Sequence, residues 1–281
     1  MQKSLICHFY KMHGVGNDFI LLDHRPGKSG SVLQATPETV CKLCVVHTGI
    51  GSDGLMLLEN SEIADFKIGF YNADGFPSTM CGNGVRCAVW LAHHLNIAPS
   101  ICTFEIMNII YSAEVLGKNK VRVKMQPPKI LASDKGLHSL TDENFTNIMW
   151  MDTGVPHLVI QTKQALESLD VLKWGRHFRY HQAFQPQGVN VNFVRELKKN
   201  HLQLRVYERG VENETLACGT GAVACSLFAA QQFDWPSPVH VHSPGGELVI
   251  EFDTDYNEVY LNGNVTLVYE GDINSEYLSG E

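Results

Sequence analysis

Met80-Cys81-Gly82-Asn83-Gly84-Val85-Arg86-Cys87-Ala88-Val89-Trp90-Leu91-Ala92 and Ala217-Cys218-Gly219-Thr220-Gly221-Ala222-Val223-Ala224-Cys225-Ser226-Leu227-Phe228-Ala229 are nearly one stretch written twice. A single offset of 137 residues carries Cys81 onto Cys218, Gly82 onto Gly219, Gly84 onto Gly221 and Ala92 onto Ala229. Each copy is a cysteine, a Gly-x-Gly turn and an apolar helical pattern. Glycine lets the backbone turn tightly. The helix that follows aims its unpaired N–H groups and its positive dipole end at whatever precedes it. A thiol held there ionises more readily, and a bound carboxylate is stabilised. The helix bodies, Ala222 to Ala230 above all, lack a polar face, which marks a buried helix. The repeat therefore predicts two buried central helices, each with a cysteine at its start. The plainer alternative, two cysteines packed in a core, does not account for the repetition of Cys-Gly-x-Gly ahead of two helices.

A chain of 281 residues has room for two domains. Its net charge of −8, with no run of Lys and Arg, argues against nucleic acid as a partner. Met-Gln-Lys-Ser-Leu-Ile-Cys-His at the start lacks the apolar core of a signal peptide, and no stretch is long enough to span a membrane. Eight cysteines without a secretory signal fit free thiols in a reducing compartment. The expected location is the cytoplasm.

Taken in order, Phe19 to Asp23 reads as a strand after the Gly14-Val15-Gly16-Asn17 turn. Gly14-x-Gly16 is not a dinucleotide fingerprint, because the third glycine position is Phe19. Arg25 to Ser31 reads as loop. Thr36-Pro37 opens a helix, with Thr as its cap and Pro in its first turn. That helix carries Cys41 and Cys44, whose lack of a second Cys-x-x-Cys pair favours a structural role over zinc. Gly54 to Glu59 and Phe66 to Tyr71 read as strands, ahead of an Asn72-Ala73-Asp74-Gly75 turn and the first cysteine helix. Cys102 to Met125 reads as strands broken at Gly117-Lys118-Asn119, and Pro127-Pro128 is the candidate domain boundary. In the second half Leu166 to Phe178 reads as one helix and Gly188 to Val194 as a strand. Leu202, Leu204 and Val206 alternate with polar residues, and a loop then leads to the second cysteine helix. The tail reads as β hairpins, with turns at Gly245-Gly246, near Asp255 and at Asn262-Gly263. The class is α+β with a mainly antiparallel or mixed sheet, in two similar halves that face each other across a cleft.

Two thiols offered to one carbon from opposite sides suit a particular reaction. One thiolate removes a proton, the other thiol returns one to the opposite face, and the stereocentre inverts. Two thiolates close together resist joint ionisation, so one thiolate and one thiol is the natural state. The helix N-termini would stabilise the charge that develops. No Gly-x-Ser-x-Gly elbow, His-Glu-x-x-His or P-loop competes. His93-His94 reads as filler on the first helix, not as a metal site.

Lys11-Met12-His13-Gly14-Val15-Gly16-Asn17-Asp18-Phe19, Asn72-Ala73-Asp74-Gly75, Met80-Cys81-Gly82-Asn83-Gly84, Pro156-His157, Asn190, Tyr207-Glu208-Arg209-Gly210 and Ala217-Cys218-Gly219-Thr220-Gly221 occur in that order. Through them the chain resembles the diaminopimelate epimerase family over essentially its whole length. Racemases of the proline type differ near the first cysteine, usually with His where Asn83 stands. The resemblance implies two pseudo-symmetric halves, each a mixed or antiparallel barrel-like sheet around a central buried helix. The N-terminal half, carrying Cys81, would span 1–126 plus 268–281, and the C-terminal half, carrying Cys218, 127–267. It implies that Cys81 and Cys218 are the acid/base pair and that His157 and Glu208 tune them. Gly82, Asn83, Gly219 and Thr220 would hold the carboxylate at the reacting centre through backbone N–H groups. Asn17, Asn72, Asn190, Glu208 and Arg209 would grip the other polar groups, with Arg209 suited to a distant carboxylate and Glu208 to an ammonium. The implied activity is interconversion of LL- and meso-2,6-diaminopimelate, for lysine and peptidoglycan precursors, with no cofactor and no metal, in a homodimer. One departure is Val155, where the family commonly has a substrate-contacting Asn.

Two other readings are an isomerase of the same fold acting on another amino acid and a non-catalytic amino-acid-binding protein. Arg209 and Glu208 favour a substrate charged at both ends over the first. A thiol-reactive aziridine analogue separates enzyme from binder by covalent capture at Cys81 or Cys218. Air oxidation is expected to join the two thiols and abolish activity, which a comparison with and without reductant checks.

Overall fold

The computed structural model describes residues 7–133, 137, 140 and 144–279. Met1 to Ile6, which belong to the segment read above against a signal peptide, and Gly280 and Glu281 lie outside the described residues. The chain divides into two compact units, Met1–Val123 with Asn264–Glu281 and Lys124–Gly263.

The first unit contains β1 (Cys7–Gly14), β2 (Asn17–Asp23), α1 (Pro37–Cys44), β3 (Gly54–Glu59), β4 (Phe66–Asn72), α2 (Gly82–His94), β5 (Ile101–Ile106), β6 (Ile109–Val115) and β7 (Lys120–Met125). The second contains β8 (Lys129–Ser133), β9 (Phe145–Asp152), β10 (Pro156–Thr162), α3 (Val171–Arg179), β11 (Asn190–Lys198), β12 (His201–Glu208), β13 (Asn213–Thr215), α4 (Gly219–Phe233), β14 (Val239–Ser243), β15 (Gly246–Phe252) and β16 (Val259–Asn264). The chain then returns to the first unit with β17 (Thr266–Ile273), which pairs with β1 from Cys7–Ile273 to His13–Thr266, and ends in α5 (Ser275–Ser279).

The two units repeat one pairing pattern. Along β17-β1-β2-β3-β4-β5-β6-β7 the neighbours are antiparallel, antiparallel, parallel, antiparallel, parallel, antiparallel and antiparallel. The order β8-β9-β10-β11-β12-β14-β15-β16 gives the same series. Parallel neighbours need a crossover, usually a helix. In each unit the cysteine helix makes the second one: α2 links β4 to β5, and α4 links β12 to β14. The architecture is α+β, with a mixed sheet and one central helix per half.

Both central helices are buried as the missing polar face requires. Gly82 to Ala92 are buried except Trp90, and Gly219 to Ala229 except Thr220. Helix α2 touches β1, β2, β3 and β6, and α4 touches β9, β10, β11, β12, β14 and β15, so each sheet wraps its helix. Leu55 to Leu58 of β3 are all buried because α1 and α2 both pack on that strand. Helix α1 starts as read, with Thr36 Oγ1 accepting the Thr39 N–H at 3.2 Å and Pro37 in the first turn. Cys44 packs in the core beside it, while Cys41 is exposed.

Four local readings change. Leu166 to Phe178 is not one helix: a 3-10 turn covers Leu166–Ser168, and α3 begins at Val171 after Asp170, whose carboxylate accepts the Lys173 N–H at 3.0 Å. The cap competes with helix continuation and wins. The Asn262-Gly263 pair is not a turn. It lies inside β16, where Asn262 pairs with Val249 and Gly263 with Leu248, and the buried Asn262 amide donates to the Val249 carbonyl at 3.1 Å. Ladder pairing overrides the dipeptide's turn preference. Arg25 to Ser31 runs into a 3-10 turn at Ser29–Val32, and the loop before α4 contains β13, paired on β12.

Candidate active site

Cys81 and Cys218 occupy the same place in their units: each is the residue before the first turn of its central helix. Both backbones are extended there, with φ −115° and ψ 112° at Cys81 and φ −126° and ψ 116° at Cys218. Neither side chain caps its own helix. The glycine three positions after each cysteine is closely packed. A Cβ on Gly84 would run into the Met56 methyl and the Phe19 ring, and one on Gly221 would meet the Asn192 side-chain oxygen.

In the first unit the Cys81 S–H donates to Asn17 Oδ1 at 3.5 Å, and Asn83 Nδ2 donates to the same oxygen at 3.3 Å. Asn17 stands at the start of β2, and its Nδ2 donates to Asp53 at 2.5 Å. Asn83 is oriented from behind by Arg86, a fully buried residue one turn into α2. The Arg86 guanidinium donates to Asn83 Oδ1 and to the Gly82 carbonyl, both at 2.9 Å. A guanidinium only donates, so Asn83 must present its oxygen to Arg86 and its N–H to Asn17. Burial pulls the Arg86 pKa down to about 10, which leaves the group charged at neutral pH, and Cys81 interacts favourably with that charge. Asn72 ends β4 and is exposed, with its carbonyl accepting the Gly75 N–H at 2.9 Å in the expected turn.

In the second unit the Cys218 thiol lies 3.5 Å from Thr220 Oγ1, and Thr220 Oγ1 lies 2.9 Å from His157 Nε2. His157 is wholly buried on β10, opposite Asn190 in the parallel ladder. Its other nitrogen, Nδ1, faces Asn192 Nδ2 at 3.1 Å. That Asn192 nitrogen also reaches the Leu158 carbonyl at 3.0 Å, which can only accept, so it is the amide N–H that faces His157. His157 Nδ1 is therefore the acceptor and Nε2 carries the hydrogen. Burial, reinforced by the nearby Arg209 charge, drives the His157 pKa down to about 3, so the ring is neutral at physiological pH. The order of donation runs from Asn192 to His157 and from His157 to Thr220, which leaves the Thr220 hydroxyl hydrogen free to turn toward Cys218. Thr153 holds the Thr220 carbonyl at 2.9 Å.

Asn190 Oδ1 accepts the Arg209 backbone N–H at 2.9 Å, and its Nδ2 donates to the Pro156 carbonyl at 3.3 Å. Glu208 ends β12 and accepts the Thr215 hydroxyl at 2.5 Å. The Arg209 guanidinium donates to the Gln187 carbonyl at 3.2 Å. Val155, half-buried, precedes β10 and accepts the Thr153 N–H through its carbonyl. Asn17, Asn83 and Cys81 thus form one cluster, and His157, Thr220, Cys218 and Asn192 another, with Asn190 joining His157 to Arg209. His93 and His94 are exposed, and His94 stacks on Trp90.

Sequence reading passed over Arg86, Asp53, Thr153 and Asn192. Arg86 left a signal, a lone charge in a helix with no polar face. Asn192 left a weaker one, since it sits two residues from Asn190 and so shares its strand face.

The sequence profile of the family described as Diaminopimelate epimerase matches residues 9–131 and 149–268. A diaminopimelate epimerase of Aquifex aeolicus (strain VF5) is 41% identical over 279 residues, covering 96% of this chain and 99% of that one. One from Chlorobaculum tepidum is 44% identical over 266 residues, covering 93% and 99%. Among solved structures, a phenazine biosynthesis protein of the PhzF family from Bacillus anthracis superposes with a TM-score of 0.71 at 14% identity, covering 95% of this chain and 99% of that one. A hydroxyproline epimerase from Agrobacterium vitis gives 0.68 at 13%, covering 98% and 94%. These two share the fold. By profile, identity and coverage, this chain belongs to the diaminopimelate epimerase family.

Proposed function

We propose that the protein interconverts LL-2,6-diaminopimelate and meso-2,6-diaminopimelate by two-base proton transfer between Cys81 and Cys218, without a cofactor. The observation that carries the reading is the equivalent placement of the two cysteines, each ahead of a buried crossover helix in a repeated fold. One thiolate takes the proton from the α-carbon. The electron pair stays on that carbon, delocalised toward the adjoining carboxylate. The other thiol then gives its proton to the opposite face, and the cysteines exchange protonation states.

The surroundings of each cysteine suit a group that must be thiol in one direction and thiolate in the other. Asn17 Oδ1 accepts the Cys81 S–H, which favours the thiol, while the buried Arg86 cation favours the thiolate. When Cys218 is ionised, the Thr220 hydroxyl, backed by neutral His157, can donate to it across their 3.5 Å contact, which favours the thiolate there. Backbone N–H groups of Gly82, Asn83, Gly219 and Thr220 hold the carboxylate beside the reacting carbon, where both helix dipoles stabilise developing charge. Asn17, Asn72, Asn190, Glu208 and Arg209 hold the remaining ammonium and carboxylate groups. The activity serves lysine and peptidoglycan precursor synthesis. Among the described residues no helix is long and apolar enough to cross a membrane, and we place the enzyme in the cytoplasm as a homodimer.

Proton NMR of LL-diaminopimelate with reduced protein in deuterated water tests the reading. Deuterium is expected to enter the α-carbon as meso product accumulates, and neither Cys81→Ala nor Cys218→Ala should complete the inversion. No exchange with the unaltered protein would overturn the substrate assignment.

A further inference from the structure

Three histidines and a glutamate meet on three adjacent strands of the second unit. His201 opens β12 and lies opposite His240 across the parallel β12/β14 ladder. His242 is two residues further along β14, on the same face, and pairs with Glu247 of β15 across the antiparallel ladder. The alternate residues Leu202, Val239, Val241 and Leu248 are buried, so the four polar side chains occupy the outer face of the sheet. Glu247 is exposed, and the three imidazoles are half-buried.

The nitrogens and the carboxylate converge. His201 Nδ1 lies 2.9 Å from His242 Nε2. Glu247 Oε1 lies 2.8 Å from His240 Nδ1 and 3.8 Å from His242 Nε2. Ligand atoms of His201, His240 and Glu247 all fall within 4.8 Å of one another, the one such constellation of His, Cys, Asp and Glu among the described residues. Metal–nitrogen distances of about 2.0–2.1 Å put neighbouring donors roughly 3 Å apart around a cation, close to the spacings here. His201 stacks on His240 at 4.4 Å between centroids and is nearly parallel to His242, so the three rings lie together on this face.

We propose that His201, His240, His242 and Glu247 bind one late first-row divalent cation, of the zinc or nickel class that imidazole-rich sites favour. The His201–His242 contact contains one N–H and one lone pair. The cation takes a lone pair from each ring, and the ring hydrogens move to the outer nitrogens. Bound there, it ties β12, β14 and β15 together and stabilises the second unit, with no part in the proton transfer.

Calorimetric titration of the full-length, reduced protein with Ni²⁺ tests this, since zinc would also be drawn to the eight thiols. The expected result is one ion per chain and a rise in melting temperature on adding Ni²⁺. His240→Ala and His242→Gln should each weaken binding at least about tenfold and remove the thermal shift, whereas Cys41→Ser should change neither. Both histidine variants replace outer-face side chains, and circular dichroism verifies their folding. Glu247→Gln, a further weakening variant, provides the same readout if one of them fails to fold. No Ni²⁺ binding by the unaltered protein, or equal binding by the histidine variants, overturns the proposal.

Discussion

Asn192 Nδ2 lies 3.1 Å from His157 Nδ1 and so decides which nitrogen of that buried ring carries its hydrogen. In Asn192→Asp the carboxylate accepts instead of donating. The ring hydrogen moves to Nδ1, and Nε2 loses the hydrogen it offers to Thr220. The expected loss in kcat is roughly 10–100-fold, the scale of removing a partner behind a working group, with KM little changed. Thr220→Ser keeps the hydroxyl and should retain most of the rate, while Thr220→Val should not. Steady-state kinetics on the three variants checks the directionality of the chain.

Arg86 supports the other cysteine from inside the helix. Arg86→Met keeps much of the volume but removes the guanidinium's hydrogen bonds to Asn83 Oδ1 and the Gly82 carbonyl. Hydrogen bonds from a charged group contribute about 1.5–3 kcal/mol each, and losing the two is partly offset because a buried cation no longer has to be desolvated, so denaturant unfolding should show a loss of about 2–4 kcal/mol. Arg86→Lys is expected to rescue little, because an ammonium cannot reproduce the two-point fork. An unchanged midpoint for Arg86→Met would count against this role.

The two repeat glycines should respond differently to a methyl group. At Gly84 the first atom met is the end of the flexible Met56 side chain, which can rotate away. At Gly221 it is Asn192 Oδ1, whose amide is held by His157 and the Leu158 carbonyl. Gly221→Ala should cost about 1–3 kcal/mol and slow turnover, whereas Gly84→Ala should be milder in both. Thermal melts and turnover of the two variants, compared side by side, give the answer.

His157 also couples folding to pH. Its folded pKa, about 3, lies below the ordinary value of 6.5. Between those values the unfolded chain binds a proton that the folded chain refuses, so stability rises with pH through that window. The contribution is fully present above about pH 6.5 and is lost as pH falls toward 3. His157→Gln should flatten the slope of unfolding free energy over this range by up to about 1.4 kcal/mol per pH unit. Chemical denaturation of both proteins at several pH values measures the difference.

The central helices, their cysteines and most strands were legible because their signals are local. A helix without a polar face has to be buried, and alternation in Val121, Val123 and Met125 has to be a strand. Where a local signal met a stronger tertiary one, the reading went astray: Asn262-Gly263 looks like a turn but is held straight by β15. Asp170 illustrates the reverse, a local cap that interrupts an apparently continuous helix. The second layer of the site was harder to see. Asn192 and Arg86 touch their targets through register and helix phase, which the bare order of residues does not display. The resemblance to a known family named the cysteines and His157, but the direction of the hydrogen bonds between them came only from coordinates.

The pairing of β17 with β1 gives the chain an asymmetry in time. Cys7 leaves the ribosome long before its ladder partner Ile273. The second unit is one continuous segment and can complete its sheet as soon as Gly263 emerges. Of the two units, the one that begins first therefore finishes last, with β1 presenting an unpaired strand edge until β17 has been made. Such edges invite pairing with other chains, so the interval between the making of β1 and of β17 is the stage at which this edge needs protection.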